Sequence, residues 1–119
     1  MKVLWTKFAL NSLAEICRYY KENVNVTIAN NIKKSILSST KQLEKHSQSG
    51  PIEDLLAELN EGHRFILRGN YKVIYKIREK ELFITDIFDT RQEPEKIRLR
   101  WYRKIRLTQN KLETGYLFL

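Results

Sequence analysis

His63–Pro94 reads HRFILRGNYKVIYKIREKELFITDIFDTRQEP, and this stretch decides the fold. Val73, Tyr75 and Ile77 alternate with Lys72, Lys76 and Arg78, the period-two pattern of a strand with one buried face. Glu79-Lys80-Glu81 is a short polar turn, and Leu82 to Phe88 is a run of apolar, aromatic and β-branched residues ending at Asp89-Thr90-Arg91. The two runs make a hairpin. Ahead of them His63-Arg64-Phe65-Ile66-Leu67-Arg68 supplies a further strand, on which Arg64 and Arg68 share one parity and point the same way. With Lys72 across the strand pair they fit a basic strip on the sheet, which is equally what a sheet facing water shows. Tyr71 and Tyr75, two positions from Val73 on either side, are expected in the core.

Before this stretch the period changes from two to that of a helix. Lys2–Trp5 reads as a first strand, and Thr6 is placed to cap the helix that follows. Ala9, Leu13, Ile16 and Tyr20 fall at intervals of four, three and four, one apolar stripe. Asn23–Asn25 breaks that helix. A second one is expected from about Thr27 to about Lys45, with Ile28, Ile32, Ile36, Ser39 and Leu43 along one side. Two long helices joined by a short polar turn predict an antiparallel helical hairpin lying across one face of the sheet. Ser47–Pro51, a Ser-Gln-Ser-Gly-Pro run, cannot continue a helix and reads as a loop within the domain. Ile52–Leu59 is ambiguous, with Leu55, Leu56 and Leu59 suited to a short helix.

Past Pro94, Ile97, Trp101, Ile105, Thr108 and Leu112 stand at helical spacing among Arg98, Arg100, Arg103, Lys104, Arg106 and Lys111, which predicts a basic amphipathic helix. The apolar end, Gly115-Tyr116-Leu117-Phe118-Leu119, is unfavourable as an isolated patch in water and is expected to dock on the domain or meet a partner.

A chain of 119 residues is one domain with a modest core that needs no metal or disulfide. Cys17 is the single cysteine, so no internal disulfide can form, and it reads as a small apolar filler on a helix. The N-terminal apolar run is too brief for a signal peptide, and no stretch approaches the roughly 20 apolar residues of a membrane span. A cytoplasmic protein with no membrane partner is the expectation. The net charge of +8 favours encounter with polyanions and with acidic proteins alike, without choosing between them. No Gly-rich phosphate loop and no Ser-His-Asp or Cys-His pattern is present, which disfavours nucleotide enzymes and hydrolases. His46, His63 and Cys17 have no metal-ligand spacing, and neither a cofactor nor a small-molecule ligand is expected.

Taken together, Arg68 before Asn70-Tyr71-Lys72, Tyr75 within that strand, and Arg91-Gln92-Glu93-Pro94 after the next strand resemble the RelE/ParE family of bacterial toxins. The resemblance covers roughly residues 1–100, with 101–119 as a C-terminal extension expected to be helical and part of the same domain. It implies an α+β fold in which a two-helix antiparallel hairpin packs on a twisted, mainly antiparallel β-sheet, here with a basic helix at the C-terminus. It also implies the toxin half of a type II toxin–antitoxin module, paired with a cognate antitoxin in a hetero-oligomer.

Two activities follow from the resemblance. ParE-like toxins bind DNA gyrase and need an interaction surface; RelE-like toxins cut messenger RNA on the ribosome without a metal, and need a base, an acid and cations around one phosphate. Lys72 stands where the RelE motif has an Arg, and Arg91 at the Arg that follows the last strand. The lysine pair of RelE on the preceding strand is not reproduced, and its terminal Tyr falls near Ile97, so that Tyr102 would have to come from the extra helix. The strand ending at Arg68 and followed by Asn70-Tyr71 is more similar to ParE. The expectation is therefore a ParE-like gyrase binder, with a RelE-like ribosome-dependent endoribonuclease using Arg64, Arg68, Lys72 and Arg91 as the alternative, and a family member that binds its antitoxin without toxicity as a third reading. Each cation also has a plain role: Lys72 as a solvated strand residue, Arg91 as the partner of Asp89 or Glu93. His63, beside Gly62, is expected in a turn; His46 is expected at a helix C-terminus.

Overall fold

Thr6 ends the first strand and starts the first helix. Its hydroxyl accepts the Ala9 N–H (3.1 Å) and donates to the Ile84 carbonyl (3.0 Å), so the cap is also pinned to the sheet. The computed structural model describes the backbone of residues 1–111 and 116–118 and the side chains as far as Lys104. Strand β1 is Lys2–Thr6, helix α1 Lys7–Asn23 and helix α2 Val26–Gln42. Asn25 caps α2 through its side-chain oxygen, which accepts the Ile28 N–H at 2.8 Å. A short 3-10 helix, Asp54–Leu59, precedes β2 (Arg64–Arg68), β3 (Tyr71–Arg78) and β4 (Glu81–Asp89); α3 follows at Lys96–Lys111 and β5 at Tyr116–Phe118. Side chains from Ile105 onward, including those expected at Ile105, Thr108, Leu112 and the apolar end, lie outside the described residues.

The sheet runs β2-β3-β4-β1-β5. Its meander is antiparallel, β1 joins β4 in parallel, and β5 lies antiparallel on β1. The α+β architecture with a helical hairpin over a mainly antiparallel sheet is as expected, and α1 and α2 lie on the face that carries Tyr71, Val73 and Tyr75. Val3, Trp5, Leu13, Ile36, Leu43, Leu82, Ile84 and Ile87 complete that core. In α2 the stripe is buried from Ile36 to Leu43, whereas Ile28 is exposed and the small Ala29 is buried in its place, in the groove that α2 shares with α1.

The second face is not open to water. Ile74 and Phe88 point to it, and Leu56 of the 3-10 helix and Ile97 of α3 close over them, with Phe65 and Trp101 at the margin. The seven consecutive residues Leu82–Phe88 are therefore buried, the burial profile of a central strand covered on both sides. A β-bulge opposite Ile74 and Tyr75 adds Thr85 to β4, and beside it Asp86 points towards α3.

Candidate functional site

The hairpin turns decide where the cations go. Gly69, at a φ of +59°, and Asn70 form a two-residue loop, so Arg68 pairs with Tyr71, Leu67 with Lys72 and Arg64 with Tyr75. Directly paired residues share a face. Arg64 and Arg68 thus lie on the helical-hairpin face with Tyr71 and Tyr75, and Lys72 lies on the opposite face with Ile74 and Phe88. The expected basic strip of Arg64, Arg68 and Lys72 is not formed.

Nor are these groups idle. The Arg64 Nη1 donates to the Gly50 carbonyl at 2.7 Å and ties the Ser47–Pro51 loop to β2. Lys72 is not a freely solvated residue: its ammonium donates at 2.8 Å to the buried carboxylate of Glu53 and lies 4.2 Å from the centre of the Phe65 ring. Arg68 is half-buried at the end of β2. His63 is not in an exposed turn. Gly62, at a φ of +72°, turns the chain inward, and the imidazole is buried against Trp101. Burial, and then Lys76, push its pKa down to about 4 from 6.5, so it is neutral and out of reach of any surface ligand.

Arg91 opens onto a cleft of about 400 Å³ between α1, the ends of β3 and β4, and α3. Its Nε and Nη2 donate to the two Asp89 oxygens at 3.0 and 2.8 Å, the ion pair expected from sequence, and Nη2 also reaches the Tyr20 hydroxyl at 3.2 Å. Tyr71 donates to the same hydroxyl at 3.2 Å. With two donors on its oxygen the Tyr20 phenol is acidified, chiefly by Tyr71 and then by Arg91, while burial makes Tyr71 a weaker acid. Hydrogen bonding to Arg91 likewise holds the Asp89 carboxyl below its ordinary value.

The other wall of the cleft was not legible as a site. Arg100 of α3 donates through Nε and Nη2 to the two Asp86 oxygens, each at 2.7 Å, and through Nη2 to Ser12 Oγ at 2.7 Å. Asp86 also accepts the Ile87 N–H at 2.8 Å. In the sequence Arg100 is one of many cations on a basic helix; the signal that distinguishes it is an acidic residue within the otherwise apolar run of β4. Both guanidinium groups bordering the cleft are thus neutralised by the chain's own carboxylates, an arrangement suited to hydrogen-bonded recognition. Among the described residues no three of His, Cys, Asp and Glu stand close enough to hold a metal ion.

Two apolar grooves of about 470 and 460 Å³ flank the helices. One runs between β1 and α2 over Val3, Trp5 and Leu37, with Lys34, Lys41 and Glu44 at its rim. The other lies between α1 and α2 over Leu13, Ala14 and Ala29, bordered by Arg18, Lys21 and Lys33. No helix among the described residues is long and apolar enough to cross a membrane.

A helical hairpin on an antiparallel meander, closed by a parallel N-terminal strand, defines an α+β protein of the RelE/ParE type. The family described as "ParE toxin of type II toxin-antitoxin system, parDE" matches residues 3–94, and the chain belongs to it. A solved structure described as "Chromosomal ParDE TA system from P. aeruginosa" shares the fold, with a TM-score of 0.64 at 20% identity over 75% of this chain and 95% of that one. No curated protein is a significant match in sequence. Helix α3 begins two residues past the end of the family match.

Proposed function

We propose that the chain arrests growth by binding DNA gyrase in the cytoplasm, and that it is not an RNA-cutting enzyme. One observation carries this reading: the cations that an endoribonuclease would gather around one phosphate are divided between the two faces of the sheet, and Arg64, Lys72 and Arg91 are each engaged by an acceptor of the chain itself. A metal-free phosphodiester cleavage needs these groups convergent and available to offset charge at the phosphorane. A binding surface has no such requirement.

The same reading gives the protein a cognate antitoxin. The apolar grooves beside α2 are bordered by Lys34, Lys41, Arg18, Lys21 and Lys33, which suits an acidic amphipathic segment that folds as it binds. Charge then acts mainly on encounter, so added salt should slow association more than it speeds dissociation.

The deciding experiment compares the two targets. With purified gyrase, ATP and plasmid the protein should accumulate cleaved DNA, and with programmed ribosomes it should yield no RNA fragments. RNA cleavage on the ribosome without DNA cleavage by gyrase would establish the endoribonuclease reading instead.

A further inference from the structure

We propose that α3 is a proton-sensitive latch on the second face of the sheet, with His63 as the group that releases it. His63 is 1% exposed, and its ring stands edge-on to Trp101 with centroids 5.1 Å apart and an interplanar angle of 78°. Nδ1 and Nε2 of His63 and Nε1 of Trp101 are all buried without a hydrogen-bond partner among the described residues. Buried polar atoms are nearly always paired, so three orphans at one contact mark a place that the fold tolerates only while the imidazole is neutral. An imidazolium presents two N–H donors and a charge, and among the described residues no acceptor is placed to receive either.

The charged groups around the ring strengthen the effect. Lys76 approaches from β3, Lys104 from α3 and Glu61 from the segment before β2; the Glu61 carboxylate is already bonded to the Lys76 ammonium at 2.5 Å. Both lysines also lie over the Trp101 ring, at 5.7 and 5.3 Å from its centre. A proton on His63 would add a third cation to this cluster. Undocking α3 instead exposes the ring to water, where it regains an ordinary basicity.

Between about pH 6.5 and 4 the proton therefore binds the open form and not the closed one. The open population should rise about twentyfold from pH 7 to pH 5, and level off below pH 4. Opening would withdraw Arg100 from Asp86, uncover Ile74 and Phe88, and remodel the cleft wall that α3 supplies. The inference does not depend on which target the protein binds.

Amide hydrogen exchange on the full chain, corrected for the intrinsic pH dependence, tests it. Amides of α3 should lose about twentyfold in protection between pH 7 and pH 5 while those of α1 and β3 keep theirs. His63→Phe, which keeps a ring against Trp101 and cannot be protonated, should abolish the pH dependence. Protection of α3 that is independent of pH in the native chain, or a pH dependence that survives His63→Phe, would overturn the proposal. So would an NMR titration of the native His63 ring with a midpoint near 6.5, a measurement that stands even if the variant does not fold.

Discussion

Removing the Asp86 carboxylate should destabilise the protein far more than its position near a surface cleft implies. Asp86 accepts two hydrogen bonds from Arg100 and one from the Ile87 N–H, and Ser12 Oγ lies 3.0 Å from it. Its side chain is 10% exposed and that of Arg100 22%, and the guanidinium is stacked 5.2 Å from the centre of the Phe8 ring. Deleting one member of a buried pair leaves the other charged and unsatisfied, at a cost of about 3–5 kcal/mol. The residual exposure of Arg100 lets water reach it, which points to the lower end, about 3 kcal/mol. Urea unfolding followed by tryptophan fluorescence measures this: with a slope of about 1–3 kcal/mol per molar, the midpoint for Asp86→Ala should fall by about 1–3 M. Asp86→Ala, Arg100→Ala and the double variant form a cycle in which the second substitution costs much less once the first is made, with a coupling of about 2 kcal/mol. A loss under about 1 kcal/mol, or single effects that add within about 0.5 kcal/mol, would refute the view that this pair holds α3 to the sheet.

The two cations that the family resemblance singles out should separate by stability. Lys72→Ala, which strands the buried Glu53 carboxylate, should cost about 3 kcal/mol, whereas Arg91→Ala at the rim of the cleft should cost under about 0.5 kcal/mol; equal effects in thermal unfolding would contradict the burial of the Lys72–Glu53 pair. Gly50→Ala should lose about 1–3 kcal/mol, because a Cβ there overlaps the Phe65 carbonyl while the Gly50 N–H is held at 3.1 Å from the Tyr75 hydroxyl; a melting temperature equal to wild type would show that the loop moves aside.

Most of the architecture was legible because it is written locally. The Thr6 cap, the Asn23–Asn25 break, the Ser47–Pro51 loop and the period-two strands each depend on neighbours a few positions away. The site was harder, since it depends on register between strands. A basic strip requires Lys72 to pair with an arginine, and the two-residue turn at Gly69-Asn70 sets Leu67 opposite it instead. That Gly-Asn pair is itself a hairpin signal and fixes the parity once it is weighed. The run Leu82–Phe88, apolar on both parities apart from Thr85 and Asp86, likewise carried the sign of a strand covered on both faces, which the alternation in β3 masked. What no local pattern encodes is the pairing of Asp86 with Arg100 or of His63 with Trp101, for both are created by where α3 comes to rest.

The parallel pairing of β1 with β4 also sets the order in which the molecule can be completed. Each β1 residue from Lys2 to Trp5 meets a β4 residue from Glu81 to Ile84, a constant offset of 79 positions. During synthesis at about 5–20 residues per second, the first strand waits about 4–16 s for its partner to be made. In that interval α1 and α2 can form their local turns, but Trp5 has no strand beside it and Thr6 has no Ile84 carbonyl to anchor it. The core closes only when most of the chain has left the ribosome, so nascent chains should pass through a stage that is helical, apolar on one side and without its sheet. Any partner that recognises the finished surface meets it only after translation has passed β4.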